Sequence, residues 1–231
     1  MSPPGRPKGE YRSAQHEGTP VSAALLGAEG WQRMWTALGA QTASGGLLNQ
    51  LVRAYGEPER HYHTLQHLRE CLANFDAARS LARQPEQVEL ALWFHDAVYD
   101  PRRHDNEERS AAWARDSVRA AGCDAALEQR VADLVLATAK HEAAAEDSDA
   151  QLLLDVDLAI LGASPARFDE SSVQVRAEYA HVPEPEFRAG RSRVLAGFLA
   201  RPRIYQTPPF HDALEERARA NIARALAALQ A

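Results

Sequence analysis

Leu90-Ala91-Leu92-Trp93-Phe94-His95-Asp96 places an imidazole and a carboxylate at the end of a run that should be core. Such groups are costly beside a hydrophobic interior unless something pairs with them. Outward from this stretch, Tyr62-His63-Thr64-Leu65-Gln66-His67 lies upstream and Leu154-Asp155-Val156-Asp157-Leu158 downstream. Two further polar groups thus sit in apolar surroundings, and a divalent cation is the simplest common partner. The carboxylates balance its charge, and a sulfur-free N/O set suits Mn, Mg, Fe, Co, Ni or Zn. His63 and His67 are four apart and would share one face of a helix. His95-Asp96 would stand near a helix end, which Tyr99-Asp100-Pro101 signals. Asp155 and Asp157 both remain open as the last ligand. Such an ion acidifies water and polarises phosphorus, so the chemistry suggested is hydrolysis.

The rest of the chain reads as helix. Ala, Leu, Glu, Arg and Gln dominate and strand-like alternation is nearly absent. Pro85 fits a first helical turn, Ser164-Pro165 an N-cap followed by a proline, and Asp105 with Glu108 a capping box. Phe187, Val194, Leu195, Phe198 and Leu199 recur at helical spacing. Val182-Pro183-Glu184-Pro185 and Pro208-Pro209 read as breaks, with the last helix running from near Asp212 to Leu229. Glu142 to Asp149 reads as an acidic loop. Residues 1–20 have almost nothing to bury and read as a flexible tail. The expectation is a single all-α domain over 21–231, with about nine or ten helices.

Composition narrows the function. With 231 residues the chain can bury a core without covalent staples, and its two cysteines suit a reducing, cytoplasmic setting. No apolar run reaches the length of a membrane span, and the N-terminus lacks an apolar signal core. A net charge of -6 with no long basic run argues against general nucleic-acid binding. It leaves room for a small phosphorylated substrate, and a homo-oligomer is compatible with it.

The order His67, His95-Asp96, Asp157 resembles the signature of the HD superfamily of metal-dependent phosphohydrolases. More narrowly, the chain resembles the branch of predicted metal-dependent HD phosphohydrolases. The similar phrases are Arg60-His61-Tyr62-His63-Thr64-Leu65-Gln66-His67, Phe94-His95-Asp96-Ala97-Val98-Tyr99-Asp100-Pro101, Asp105-Asn106-Glu107-Glu108-Arg109-Ser110-Ala111 and Asp155-Val156-Asp157-Leu158-Ala159-Ile160-Leu161-Gly162. Arg176-Ala177-Glu178-Tyr179, Ile204-Tyr205 and Ala218-Arg219-Ala220-Asn221-Ile222 add support.

The resemblance implies an all-helical HD-domain fold and a metal held by His67, His95, Asp96 and Asp157, with Asp157 preferred over Asp155. It also resembles the Tyr-His-Asn-x-x-His segment of cyclic-nucleotide phosphodiesterases, with Thr64 where that pattern has Asn. By position, His63 would then protonate the leaving oxygen, and Asp96 would ligate the metal and orient the water. Arg60, Arg176, Arg191 and Arg219 are candidates for phosphate, as are Lys140 and His141. His141 and His104 are also candidates for a second metal, and Glu107 or Glu108 for support of the first. The function implied is hydrolysis of a small phosphoester or phosphoanhydride, plausibly a nucleotide. The alternatives are a nucleotide-binding regulatory module that keeps the site without turnover, and an iron-dependent oxygenase.

Overall fold

The computed structural model describes residues 26–41 and 45–230, so the expected tail over 1–20 lies outside the described residues. These residues are all-helical, with no strand. Ten α-helices follow one another: α1 (Ala28–Ala37), α2 (Gly45–Ala54), α3 (Leu65–Ala78), α4 (Pro85–Phe94), α5 (Asn106–Ala120), α6 (Ala125–Ala137), α7 (Ser148–Asp157), α8 (Pro165–Glu178), α9 (Glu184–Ala200) and α10 (Pro208–Gln230). Short 3-10 turns follow α3 (Arg79–Leu81) and α7 (Leu158–Gly162). None of the described helices is long and apolar enough to cross a membrane.

The quoted stretch forms the centre. Pro85 occupies the first turn of α4, where its missing N–H costs nothing. Val88 and Leu90 through Phe94 are all buried. A helix apolar on every side must be enclosed, and α4 packs against α1, α3, α5, α6 and α7. Trp93 meets Trp31 edge-on at 5.1 Å, and Trp31 meets Trp35 at 5.7 Å, a geometry that aromatic quadrupoles favour. Because α3, α4 and α7 also pack on one another, their ends converge.

Several local expectations change. His63 is not helical: α3 begins at Leu65, with Thr64 as N-cap accepting from the Gln66 N–H at 3.2 Å. The two histidines therefore do not share a helix face. α4 stops at Phe94, one residue before His95. Asp105 precedes α5 but makes no side-chain cap; its carboxylate pairs with Arg103 instead. Val194 points outward, half exposed. Pro208-Pro209 opens α10 rather than breaking the chain before it, because prolines suit a first turn and a buried acid from α7 holds the two residues just before it.

The 3-10 turn after α7 lies directly on α10. A Cβ added at Gly162 would stand 2.7 Å from Leu214 Cβ and 2.9 Å from the Leu214 carbonyl oxygen. Backbone cannot yield as a flexible side chain does. Gly162→Ala is expected to destabilise the fold by about 1–3 kcal/mol, read as a lowered denaturant midpoint with an unchanged slope.

Candidate metal centre

Four donor atoms meet where α3, α4 and α7 converge. His67 lies in the first turn of α3, His95 and Asp96 just past the end of α4, and Asp157 at the end of α7. Asp96 Oδ2 stands 3.0 Å from His95 Nε2 and 3.4 Å from His67 Nε2. Asp157 Oδ1 stands 3.3 Å from His67 Nε2 and 3.5 Å from His95 Nε2. The two Nε2 atoms are 3.1 Å apart. Ligands about 2.1 Å from one ion lie roughly 3.0 Å apart at a right angle and roughly 3.4 Å at the tetrahedral angle. The donor spacings match the edges of such a polyhedron, so the residues fit a cation.

The backbone orients these donors. His95 Nδ1 lies 2.7 Å from the Leu92 carbonyl. A carbonyl only accepts, so Nδ1 carries the hydrogen, and in the neutral ring Nε2 turns its lone pair inward. Burial alone would raise the Asp96 carboxyl; the charges of His95 and His63 and hydrogen bonds from His67 and His95 override it and hold it well below its ordinary value. Asp157 is likewise held low against burial, by hydrogen bonds from His141, His67 and His95. Burial would lower His67 and His95, yet Cys71, Tyr62, Asp157 and Asp96 raise the first and Asp96, Tyr55 and Asp157 the second, both well above the ordinary histidine range. The cluster thus presents ionised carboxylates beside imidazoles whose protons a cation can displace.

Cys71, one turn after His67, was missed as a donor because it lacks familiar cysteine spacing. One ligand atom each from His67, Cys71, His95 and Asp157 lies within 4.8 Å of the others, so this buried cluster can hold a metal ion. The Cys71 sulfur is 3.7 Å from both ring nitrogens of His67. That equal spacing sets it against the ring rather than along the Nε2 lone pair, and Asp96 Oδ2 is the closer donor.

Asp155 points away from the cluster. Residues two apart on a helix project to opposite sides. Its carboxylate accepts from the Gln206 N–H at 2.7 Å and from the Thr207 N–H and hydroxyl, both at 2.6 Å. These bonds hold the two residues that lead into α10. Asp155→Ala is expected to cost about 2 kcal/mol of stability and to leave bound metal, measured by elemental analysis, unchanged.

His63 stands beside the cluster, its ring 5.9 Å from that of His67 and stacked at 4.0 Å on Tyr99. Its Nδ1 is 2.8 Å from Glu178 Oε2. Glu178, at the end of α8, is the residue that sequence reasoning missed. Its Oε1 accepts the N–H groups of His61, Tyr62 and His63 at 2.9, 2.8 and 2.9 Å, and its Oε2 also accepts the Tyr99 hydroxyl at 3.0 Å. Burial would raise this carboxyl; the His63 contact and the backbone donors bring it down to about 2. An ionised carboxylate only accepts, so the hydrogen sits on His63 Nδ1 and Nε2 is the atom left for chemistry. Its signal in the sequence was an acid within Arg176-Ala177-Glu178-Tyr179, a phrase already noted.

The expected phosphate contacts divide. Arg60 is buried, with Nε on Glu57 at 3.0 Å, Nη1 on the Asp96 carbonyl at 2.6 Å and Nη2 on the Ala97 carbonyl at 2.9 Å. It satisfies carbonyls past the end of α4 and so positions His95-Asp96. Arg176 donates to Glu184 and to the Tyr179 and Val182 carbonyls. Arg219 likewise ties Glu215 to the carbonyls of Leu199 and Arg201. Lys140 is exposed. His141 does reach the centre, with Nε2 3.1 Å from Asp157 Oδ2. Its φ of 50° is left-handed, and Arg201 braces it by donating to the His141 and Lys140 carbonyls at 2.8 and 3.0 Å. His104 and Glu108 are exposed.

No family model matches the chain, and neither a curated protein nor a solved structure matches it.

Proposed function

We propose that the chain is a metal-dependent phosphohydrolase acting on a small phosphoester or phosphoanhydride of the nucleotide kind. The observation that carries this is the meeting of two imidazole nitrogens and two carboxylate oxygens, 3.0–3.5 Å apart wherever nitrogen faces oxygen, beside a histidine fixed by a buried glutamate. The motif order that resembles the HD superfamily supports the same reading. His67, His95, Asp96 and Asp157 would hold a divalent ion, one of Mn, Mg, Fe, Co, Ni or Zn. When bound, such an ion supplies Lewis-acid polarisation of a phosphoryl oxygen and lowers the pKa of water.

The residues do the rest. Glu178 keeps the hydrogen on His63 Nδ1, so His63 Nε2 is the atom that exchanges a proton with the leaving oxygen. Tyr99 and Tyr62 pack against the His63 ring, the latter edge-on at 4.8 Å, and restrict its rotation. His141 steadies the outer oxygen of Asp157. The test pairs metal content with turnover on one sample. Purified protein is expected to retain a divalent metal and to hydrolyse members of a nucleotide panel covering phosphatase, phosphodiesterase and pyrophosphatase reactions. Metal-loaded protein that cleaves none of them would overturn the reading, and tight nucleotide binding without cleavage would favour a regulatory module.

A further inference from the structure

Cys71 stands at the centre without a task in the proposed chemistry. It lies one turn after His67 on α3, so the two side chains share a face of that helix. Both are buried, each with 2% of its surface exposed. Among the described residues, the Cys71 sulfur has hydrogen-bond contact only with the two ring nitrogens of His67, both at 3.7 Å.

The spacing suits a sulfur donor. A metal–sulfur bond of about 2.3 Å and a metal–nitrogen bond of about 2.1 Å, set at the tetrahedral angle, place sulfur and nitrogen roughly 3.6 Å apart. Cys71 Sγ stands 3.7 Å from His67 Nε2. With one ligand atom each from His67, His95 and Asp157, it forms a set in which no edge exceeds 4.8 Å. The sulfur now rests against the His67 ring, beside the donors rather than among them. A turn of about 30° about the single χ1 bond carries it about 0.9 Å, a departure from the rotamer that a metal–sulfur bond can hold. Asp96 is the donor that can make way. Its carboxylate is more exposed than that of Asp157, 18% against 12%, so water can solvate it once it is released.

We infer that Asp96 and Cys71 are alternative fourth donors, and that the class of ion decides between them. A hard ion such as Mn or Mg takes the Asp96 oxygen and keeps positions for water and phosphate. A thiophilic ion such as cadmium or zinc takes the Cys71 sulfur with His67, His95 and Asp157, because thiolate favours soft ions. The thiol proton leaves to solvent as the metal–sulfur bond forms. Four protein ligands around a tetrahedral ion leave no open position, as in structural zinc sites. Cys71 therefore makes thiophilic ions inhibitors that hold the centre shut. The inference rests on the metal-dependent reading above and places the working ion among the harder candidates.

The test uses metal-free, full-length protein with Cys71→Ala, Cys71→Ser and Cys123→Ala. Cys123 is the only other cysteine of the chain and meets the Leu38 carbonyl at the end of α1 instead, so it serves as the control. Cadmium titration of the natural protein and of Cys123→Ala should raise an ultraviolet sulfur-to-metal charge-transfer band, and neither Cys71 variant should show it. Cadmium affinity should fall about tenfold or more in both Cys71 variants, while manganese affinity stays within about threefold. The cadmium that halves manganese-supported turnover should rise by the same factor as the affinity falls. A band that survives in Cys71→Ala, or cadmium bound by the natural protein without a band, overturns the inference alone. So does an equal fall in manganese affinity, which marks a packing cysteine. Should the Cys71 variants not fold, the band in Cys123→Ala still assigns the sulfur, and its absence there rejects Cys71. A natural protein that binds neither ion overturns the metal centre itself and the inference with it.

Discussion

Asp96→Ala is expected to abolish hydrolysis and strip the centre of its metal while leaving the helices intact. Asp96 Oδ2 is within 3.0 and 3.4 Å of both Nε2 atoms, so its removal opens one whole side of the donor set. Loss of a supporting contact alone weakens metal binding about 10–100-fold, so loss of a direct ligand should cost at least about 100-fold. Turnover should fall by roughly 10³-fold or more, since several kcal/mol of charge stabilisation leave with the ion. The local fold should survive because the end of α4 is held through backbone atoms. Tyr55 receives the Asp96 N–H at 3.3 Å and donates to the Trp93 carbonyl at 3.3 Å, and Arg60 binds the Asp96 carbonyl. Elemental analysis, circular dichroism and the nucleotide panel check the three parts. An Asp96→Ala protein that still turns over would remove Asp96 from the site.

Glu178→Gln should change both activity and acid stability. The carboxamide can still accept the three amides through its oxygen, but its NH₂ then faces His63 Nδ1. A neutral amide no longer supports the doubly protonated ring from which Nε2 would give up its proton. A loss of roughly 10²-fold in kcat is expected, the scale of a misplaced acid. The stability effect has a definite sign. The folded-state value of about 2 lies below the ordinary 4.5, so folding favours the ionised form. This contribution is whole above pH 4.5 and drains away as pH falls toward 2. Its size is about 3 kcal/mol. Denaturant unfolding of the natural protein at pH 7, 4 and 3 should show this acid limb, and Glu178→Gln should lack that part of it. Identical acid limbs would remove Glu178 as a buried anion.

The helical class was legible because its signals are local. A helix apolar on all sides had to be central, Pro85 and Ser164-Pro165 had to open helices, and a polar pair at the end of a buried run had to face something. Pro208-Pro209 misled because a diproline reads equally as a stop or a start, and what tips it is the Asp155 carboxylate 52 residues before Thr207. Arg60 and Arg176 show a related point. Arg60 was singled out by its place beside the histidines and Arg176 by a phrase of the resemblance, and in the fold both guanidinium groups bind backbone carbonyls. Asp157 differs from Asp155 only through helical rotation, which spacing hints at and packing decides. Glu178 was hidden because an acid ending an ordinary amphipathic helix carries no mark of burial, and its partners lie 115 to 117 residues away.

That separation also sets an order of assembly. The four donors of the metal cluster are all present once the chain has been made as far as Asp157. The His63 ring cannot be held by its carboxylate until α8 has emerged and docked, because Glu178 accepts both its Nδ1–H and three successive amides of the loop bearing it. Contacts so distant in sequence close late. A growing chain would therefore bring the four clustered donors together before it fixes the His63 ring. In hydrogen exchange the amides of His61, Tyr62 and His63 should open together with α8, as one cooperative unit distinct from α4.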